Sequence, residues 1–404
     1  MTLKTTPWAV FKHLSWVSLA AMLGLAVFGV FAIYSATYRG EDLPNAPFYW
    51  LQAVWIGVGL VAFAAAVVID YRQIGKWTWV LYSICVLMLI VVLGFGTERY
   101  GAGRWLGIKG FGIQPSEFAK IGLAFALAYF LSNPDRDVRN FKTLVLCLLM
   151  LGVTMGLILL QPDLGSALVL LPMAAAMLFV AGIPLRYFTA ALIAAAIFGS
   201  VLYVNLLGYE AASQRLHAAA PNKETYTRQV IALERKFILK PYQWERILVF
   251  LNPDRDPYGW GWNLRQSQIA VGSGGVTGKG WLQGTQNVLG FLPRQVAPND
   301  FIFSVIAEEG GFAAGLLVLT AYAVLLLNGL WTALSARDRL GRLLATGITV
   351  MLLCHVFVNM GMTIGVVPIT GVPLPLLSYG GSFVLSTMVA LGILQNVRAR
   401  RTTY

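Results

Sequence analysis

Ten stretches of about twenty residues, such as "WVSLAAMLGLAVFGVFAIYSAT" and "FKTLVLCLLMLGVTMGLILL", carry almost no charge. A helix rising about 1.5 Å per residue needs roughly twenty apolar residues to cross about 30 Å of hydrocarbon, so each stretch predicts a membrane span. The predicted spans lie near 14–35, 49–69, 77–96, 116–132, 143–160, 165–182, 188–207, 301–327, 343–366 and 380–396. Composition agrees: 57% of the 404 residues are hydrophobic and 12% charged, with a mean hydropathy of +0.69, far more apolar than a soluble domain. The expected fold is an all-α polytopic membrane protein of about ten transmembrane helices, forming one domain over 1–404.

An even number of spans puts both termini on one side. Lys4, Lys12, Arg72, Lys76, Arg136, Arg139, Lys142, Arg186, Arg337, Arg339, Arg342, Arg398, Arg400 and Arg401 fall on one face. The opposite short loops hold only Arg39, Arg99, Arg104 and Lys109, so fourteen basic residues against four place both ends in the cytoplasm. The net charge of +12 thus reports topology, and no basic stripe on a soluble domain suggests nucleic acid as a partner. The first span is long enough to be an anchor rather than a signal peptide. Cys85, Cys147 and Cys354 fall inside predicted spans and imply no disulfide framework. His13, His217 and His355 are scattered, and no His/Cys spacing suggests zinc.

Residues 208–299 form one long external segment between the seventh and eighth spans. In its first half Tyr226, Val230, Leu233 and Phe237 recur at helical spacing, with Arg228, Glu234, Arg235 and Lys236 on other faces. That pattern suits an amphipathic helix lying on the outer membrane surface, or equally one packed on the outer ends of the spans. The second half is dense in Gly, Trp, Asn and Gln, residues suited to sugar or headgroup contacts, or to tight turns near the bilayer. "GSGGVTGKG" is not a nucleotide loop: Ser273 stands where the motif needs its first Gly, and Gly280 where it needs Ser or Thr.

Five acids lie at or within spans: Glu117, Asp163, Asp300, Glu308 and Glu309. An ionised carboxylate there is costly and normally faces a polar cavity or a cation. Glu308 follows Asp300 by eight residues, about 12 Å deeper along a straight helix, so Asp300 is expected near the external surface with Glu308 inside the bundle. Glu117 and Lys120 are three apart and share a helix face, with Arg104 just before them. They form either a structural ion pair or part of one polar site with Asp300.

The motifs "RWLGIKGFGIQPSEFAK", "QPDLGSAL", "RILVFLNPDRDPYGWGWNLRQSQIAVGSGG", "GKGWLQGTQ", "FLPRQVAPNDFIFSVIAEEGG" and "PLPLLSYGGS" occur in this order. Together they resemble the SEDS family, the shape, elongation, division and sporulation proteins of bacteria, over nearly the whole chain. "GKGW" followed by "GTQ" resembles the rod-shape branch rather than the division branch.

The resemblance implies an inverting peptidoglycan glycosyltransferase of the bacterial cytoplasmic membrane, polymerising lipid II during cell elongation. Asp300, the acid preceding "FIF", matches the family's essential carboxylate and would be the general base. Lys120 and Glu117 match the polar pair of the fourth span and would tune Asp300. Arg104 matches the basic residue expected near the pyrophosphate. Arg246, Lys279, Gln286, Ser378 and Tyr379, all within the matching motifs, are implied to bind substrate. Asp163, Glu308 and Glu309 would give polar support. A divalent cation such as Mg2+ would help the pyrophosphate leave, and no carboxylate cluster in the sequence marks a site for it. The implied partners are lipid II and a single-span class B penicillin-binding protein within an elongation complex.

Two departures alter the neighbours of the acid: Pro293-Arg294 stands for the usual Pro-Glu, and Pro298-Asn299 for the usual His-Thr. Two rival functions use the same residues. A lipid II flippase would need charges spread through the midplane, and a scaffold for a penicillin-binding protein would need no catalytic acid.

Overall fold

The computed structural model describes residues 11–38, 47–99, 102–108, 111–219, 239, 241–256, 259–293 and 296–401. The predicted amphipathic helix near 224–239 lies outside them, apart from Leu239.

Helices α1 (Trp16–Thr37), α2 (Phe48–Val68) and α4 (Thr78–Phe95) answer to the first three spans, with a short α3 (Tyr71–Lys76) between the last two. α5 (Pro115–Ser132), α6 (Phe141–Leu160), α7 (Leu164–Ala181) and α8 (Leu185–Ala219) follow. After the long connection come α12 (Ile302–Ser335), α13 (Arg339–Thr363) and α14 (Gly381–Arg400). Among the described residues, nine of these helices are long and apolar enough to cross a membrane. The tenth predicted span is α5, whose apolar run is interrupted by Glu117 and Lys120.

Local chemistry sets the helix ends. Ser15, Asn140, Asp163 and Asp338 cap α1, α6, α7 and α13 by accepting a backbone N–H of the first turn. Gly182 ends α7 in the left-handed conformation that a side chain would resist. α5 and α14 are the centre of the bundle. In α5 only Phe118, Tyr129 and Ser132 escape full burial. α14 packs along α2, where Gly59 meets Met388 and Gly392 meets Ala66 and Phe63, small residues that let two helices approach closely. By contrast only 6% of the apolar window of α8 is buried, and a cavity of about 760 Å³ lies between it, α7, α13 and the side chains of Gln243, Arg246 and Ile247.

Three features depart from the sequence expectation. Between α4 and α5 lies a small antiparallel sheet of β1 (Thr97–Arg99), β2 (Ala102–Ile108) and β3 (Phe111–Ile113), with Leu106 opposite Ile113. α8 runs to Ala219, so the first residues of the segment assigned to 208–299 continue a helix. The rest of that segment holds α9 (Pro241–Leu251), α10 (Trp260–Ser273) and α11 (Thr285–Val288). α10 is no surface element: it packs against α12 and α13, with Leu264, Ser267 and Ala270 buried.

α12 itself is broken. Gly311 (φ 65°, ψ −163°) interrupts the helix and leaves backbone groups open on both sides. The segment after α10 closes them. Lys279 and Gly280 donate their N–H groups to the carbonyls of Glu308 (3.1 Å) and Glu309 (2.9 Å), while Phe312 and Ala313 donate to Gly275 (2.9 Å) and Val276 (3.0 Å). Glycine is required on both sides of this seam. A Cβ at Gly311 would stand 2.3 Å from the Gly278 nitrogen, and one at Gly278 (φ 80°) would stand 2.0 Å from the Glu309 carbonyl oxygen.

Candidate active site

Asp300 sits in a turn over 296–300, two residues before α12 begins and therefore just outside the span. The turn closes on itself through Asp300 N–H donating to Val296 O (2.9 Å), while buried Ala297 and Phe301 anchor it from below. Its outward carbonyls are held by other elements. Tyr379 N–H donates to Pro298 O (2.8 Å), Ser378 Oγ to Asn299 O (2.5 Å) and Asn359 Nδ2 to Asp300 O (3.0 Å). The backbone is fixed while the carboxylate, partly exposed, makes no hydrogen bond or ion pair among the described residues.

Charge surrounds that carboxylate. Burial pushes the Asp300 carboxyl up to about 6, against the pull of Arg246 and Arg104 and with Asp163 acting in the same sense as burial. Arg104 reaches the site from β2 and pairs with Asp163 at 3.3 Å. Asp163 caps α7 and is spent on its neighbours: Ser166 N–H (3.2 Å), Gln114 Nε2 (2.9 Å) and Ser116 Oγ (3.2 Å) also donate to it. Arg246, on α9, lies 4.9 Å over the Trp260 ring and donates to Thr370 O at 3.4 Å. The segment 370–372 forms the opposite wall. Gly371 (φ 73°) comes so close that a Cβ there would lie 3.5 Å from Asp300 Oδ2. Arg246, Thr370 and Val372 also line the 760 Å³ cavity, whose remaining walls are largely apolar, including Leu164, Leu168 and Phe357.

The other anticipated residues form two separate groups. Lys120 Nζ lies 2.9 Å from Glu117 Oε1 and 2.9 Å from His355 Nε2, while Ser386 donates to Glu117 Oε2 at 3.3 Å. All four are buried, and no hydrogen bond or ion pair among the described residues joins Lys120 or Glu117 to Asp300. The charges that act on the Asp300 carboxylate are those of Arg246, Arg104 and Asp163, which the fold brings together from three distant segments. The second group gathers at the break of α12. Glu308 Oε1 takes Lys279 Nζ (2.6 Å) and the Gln286 backbone N–H (2.9 Å), and Ser35 donates to Glu309. Lys279 and Gln286 are thus brought to Glu308, and Ser378 and Tyr379 to the backbone that carries Asp300.

Sequence reasoning passed over His355 and Asn359. His355 had a signal, an isolated titratable ring in an apolar span. Asn359, buried on α13, had none beyond its polarity. Among the described residues no three His, Cys, Asp or Glu gather into a metal site.

This site belongs to a class of polytopic membrane enzymes. Residues 15–403 match the family model described as Cell cycle protein, which joins FtsW, RodA and SpoVE. The chain is 36% identical to the peptidoglycan glycosyltransferase RodA of Treponema pallidum, covering 95% of this chain and 97% of that one. It is 35% identical to the peptidoglycan glycosyltransferase MrdB of Escherichia coli K12, over 96% and 94% of the two chains. A solved structure described as "Structural coordination of polymerization and crosslinking by a peptidoglycan synthase complex" superimposes with a TM-score of 0.75 at 30% identity, covering 97% of this chain and 99% of that one. The chain belongs to the SEDS family and is a peptidoglycan glycosyltransferase.

Proposed function

We propose that the chain polymerises lipid II during cell elongation, with Asp300 as general base. The observation that carries this reading is one juxtaposition: a carboxylate with no hydrogen bond or ion pair among the described residues, flanked by Arg246 and Arg104, beside segment 370–372, whose Thr370 and Val372 line, with Arg246, an apolar cavity of about 760 Å³. A polyprenyl pyrophosphate needs those parts, an apolar slot for the tail and guanidinium groups for the headgroup. The acceptor sugar's 4-hydroxyl gives its proton to Asp300 as its oxygen bonds to the anomeric carbon of the donor. The bond from that carbon to the pyrophosphate oxygen breaks, and its electron pair leaves with the pyrophosphate, inverting the centre. Arg104 and Arg246 stabilise the charge that develops there. The divalent cation anticipated from the sequence remains part of the proposal. Such an ion would neutralise charge on the departing pyrophosphate; Asp163 is already spent on four donors and Asp300 is kept for the proton, so the oxygens that bind the ion would be those of the pyrophosphate itself.

Cytoplasmic termini and a single-span class B penicillin-binding protein as partner belong to the same proposal. The partner is supported by the similarity to a chain from a peptidoglycan synthase complex. Transport and scaffold readings are less well supported, because the curated relatives are named as glycosyltransferases. The test is lipid II polymerisation by purified protein. Asp300→Asn keeps size and removes the basic oxygen, so a loss of at least about 100-fold is expected in a folded variant. Glycan strands made at the parental rate would remove the assignment of Asp300.

A further inference from the structure

The two N–H bonds of the Asn359 amide point to different walls of the site. One donates to Asp300 O (3.0 Å), the other to Val372 O (2.8 Å), and the side chain is fully buried. A single planar group therefore ties the acid-bearing turn to the segment opposite it. The neighbouring carbonyl of Asn299 is held by Ser378 Oγ at 2.5 Å, and that hydroxyl also accepts Leu374 N–H at 2.8 Å. Its proton is spent on the backbone. The gap so bridged is narrow, since even the methyl group of an alanine at Gly371 would touch Asp300 Oδ2.

We propose that Asn359, with Ser378 as its second point of attachment, is a positioning residue that sets where the Asp300 carboxylate stands against segment 370–372. This rests on Asp300 being the base. The physical ground is tolerance. A general base must stand within hydrogen-bond reach of the hydroxyl it deprotonates, and a displacement of about 1 Å can cost about 100-fold in rate. Main-chain carbonyls held by side-chain donors limit such displacement without adding a charge that would compete for the pyrophosphate.

The experiment uses the full chain and lipid II. Asn359→Leu keeps approximate size and removes both donors. A fall in kcat of about 10- to 100-fold is expected, with KM changed less than about twofold, because the substrate contacts themselves are untouched. A residue that only supports the fold would lower the fraction of active protein, leaving the kcat of the folded molecules and its pH profile as in the parent. A double-mutant cycle makes the coupling explicit. Added to Asp300→Asn, Asn359→Leu should lower the residual rate no further, since nothing remains to be positioned.

Parental kcat in folded Asn359→Leu, beside an inert Asp300→Asn, overturns this inference alone. The same holds if Asn359→Leu costs as much with Asp300→Asn as without it. Parental activity in Asp300→Asn overturns the base assignment and this inference with it. Should Asn359→Leu not fold, Ser378→Ala takes its place: a loss confined to kcat is expected, and parental kcat overturns the inference.

Discussion

The pH dependence of polymerisation should report on Asp300. Burial holds its carboxyl near 6, and a general base acts only when ionised, so kcat should climb from pH 5, pass half-maximum near 6 and level off by about 7. A pH profile of polymerisation checks this; a flat profile across 5 to 7 would remove Asp300 as the titrating base. Glu308 should behave differently. Glu308→Gln weakens the bond to Lys279 at the break of α12, so the expected cost is about 1–3 kcal/mol of stability, read by thermal unfolding in detergent, with a milder change in activity. Both acids were visible in the sequence because charge in an apolar run is expensive. What the fold gathers around the buried charges was not. Lys120 meets Glu117 three residues away, as spacing foretold, but also His355, 235 residues distant, and no local pattern encodes such a contact.

At the scale of elements, hydropathy located eight of the ten spans to within several residues and misjudged the seventh and eighth. α8 extends to Ala219 because a helix can continue after its apolar run has ended. The break in α12 was hidden because Gly310-Gly311 is flanked by apolar residues on the C-terminal side, and what fills the break lies some thirty residues earlier in the chain. Two alanine substitutions separate this seam from an ordinary helical glycine. Gly278→Ala meets both a positive φ and the Glu309 carbonyl, so a loss above about 1 kcal/mol is expected. Gly24→Ala, in α1 with open space where the methyl would go, should leave the melting temperature unchanged or raised. Equal melting temperatures for the two variants would mean that the seam is slack.

For the whole molecule, the charge asymmetry of the loops predicts which side each end occupies. In a chain with Cys85, Cys147 and Cys354 replaced, Arg265→Cys should react with an impermeant maleimide applied to intact cells, and Arg339→Cys only after lysis. The reverse pattern would invert the topology. The fold was legible at this scale because lipid permits few alternatives to helices whose backbone groups are satisfied internally. The stitched break in α12 is the exception, and it has a consequence for biogenesis. A span released from the translocon as two half-helices carries exposed peptide groups into the bilayer and cannot rest there alone. Residues 274–280, synthesised earlier, must wait for α12 and then fold into it, so membrane insertion and tertiary assembly of this region are a single event.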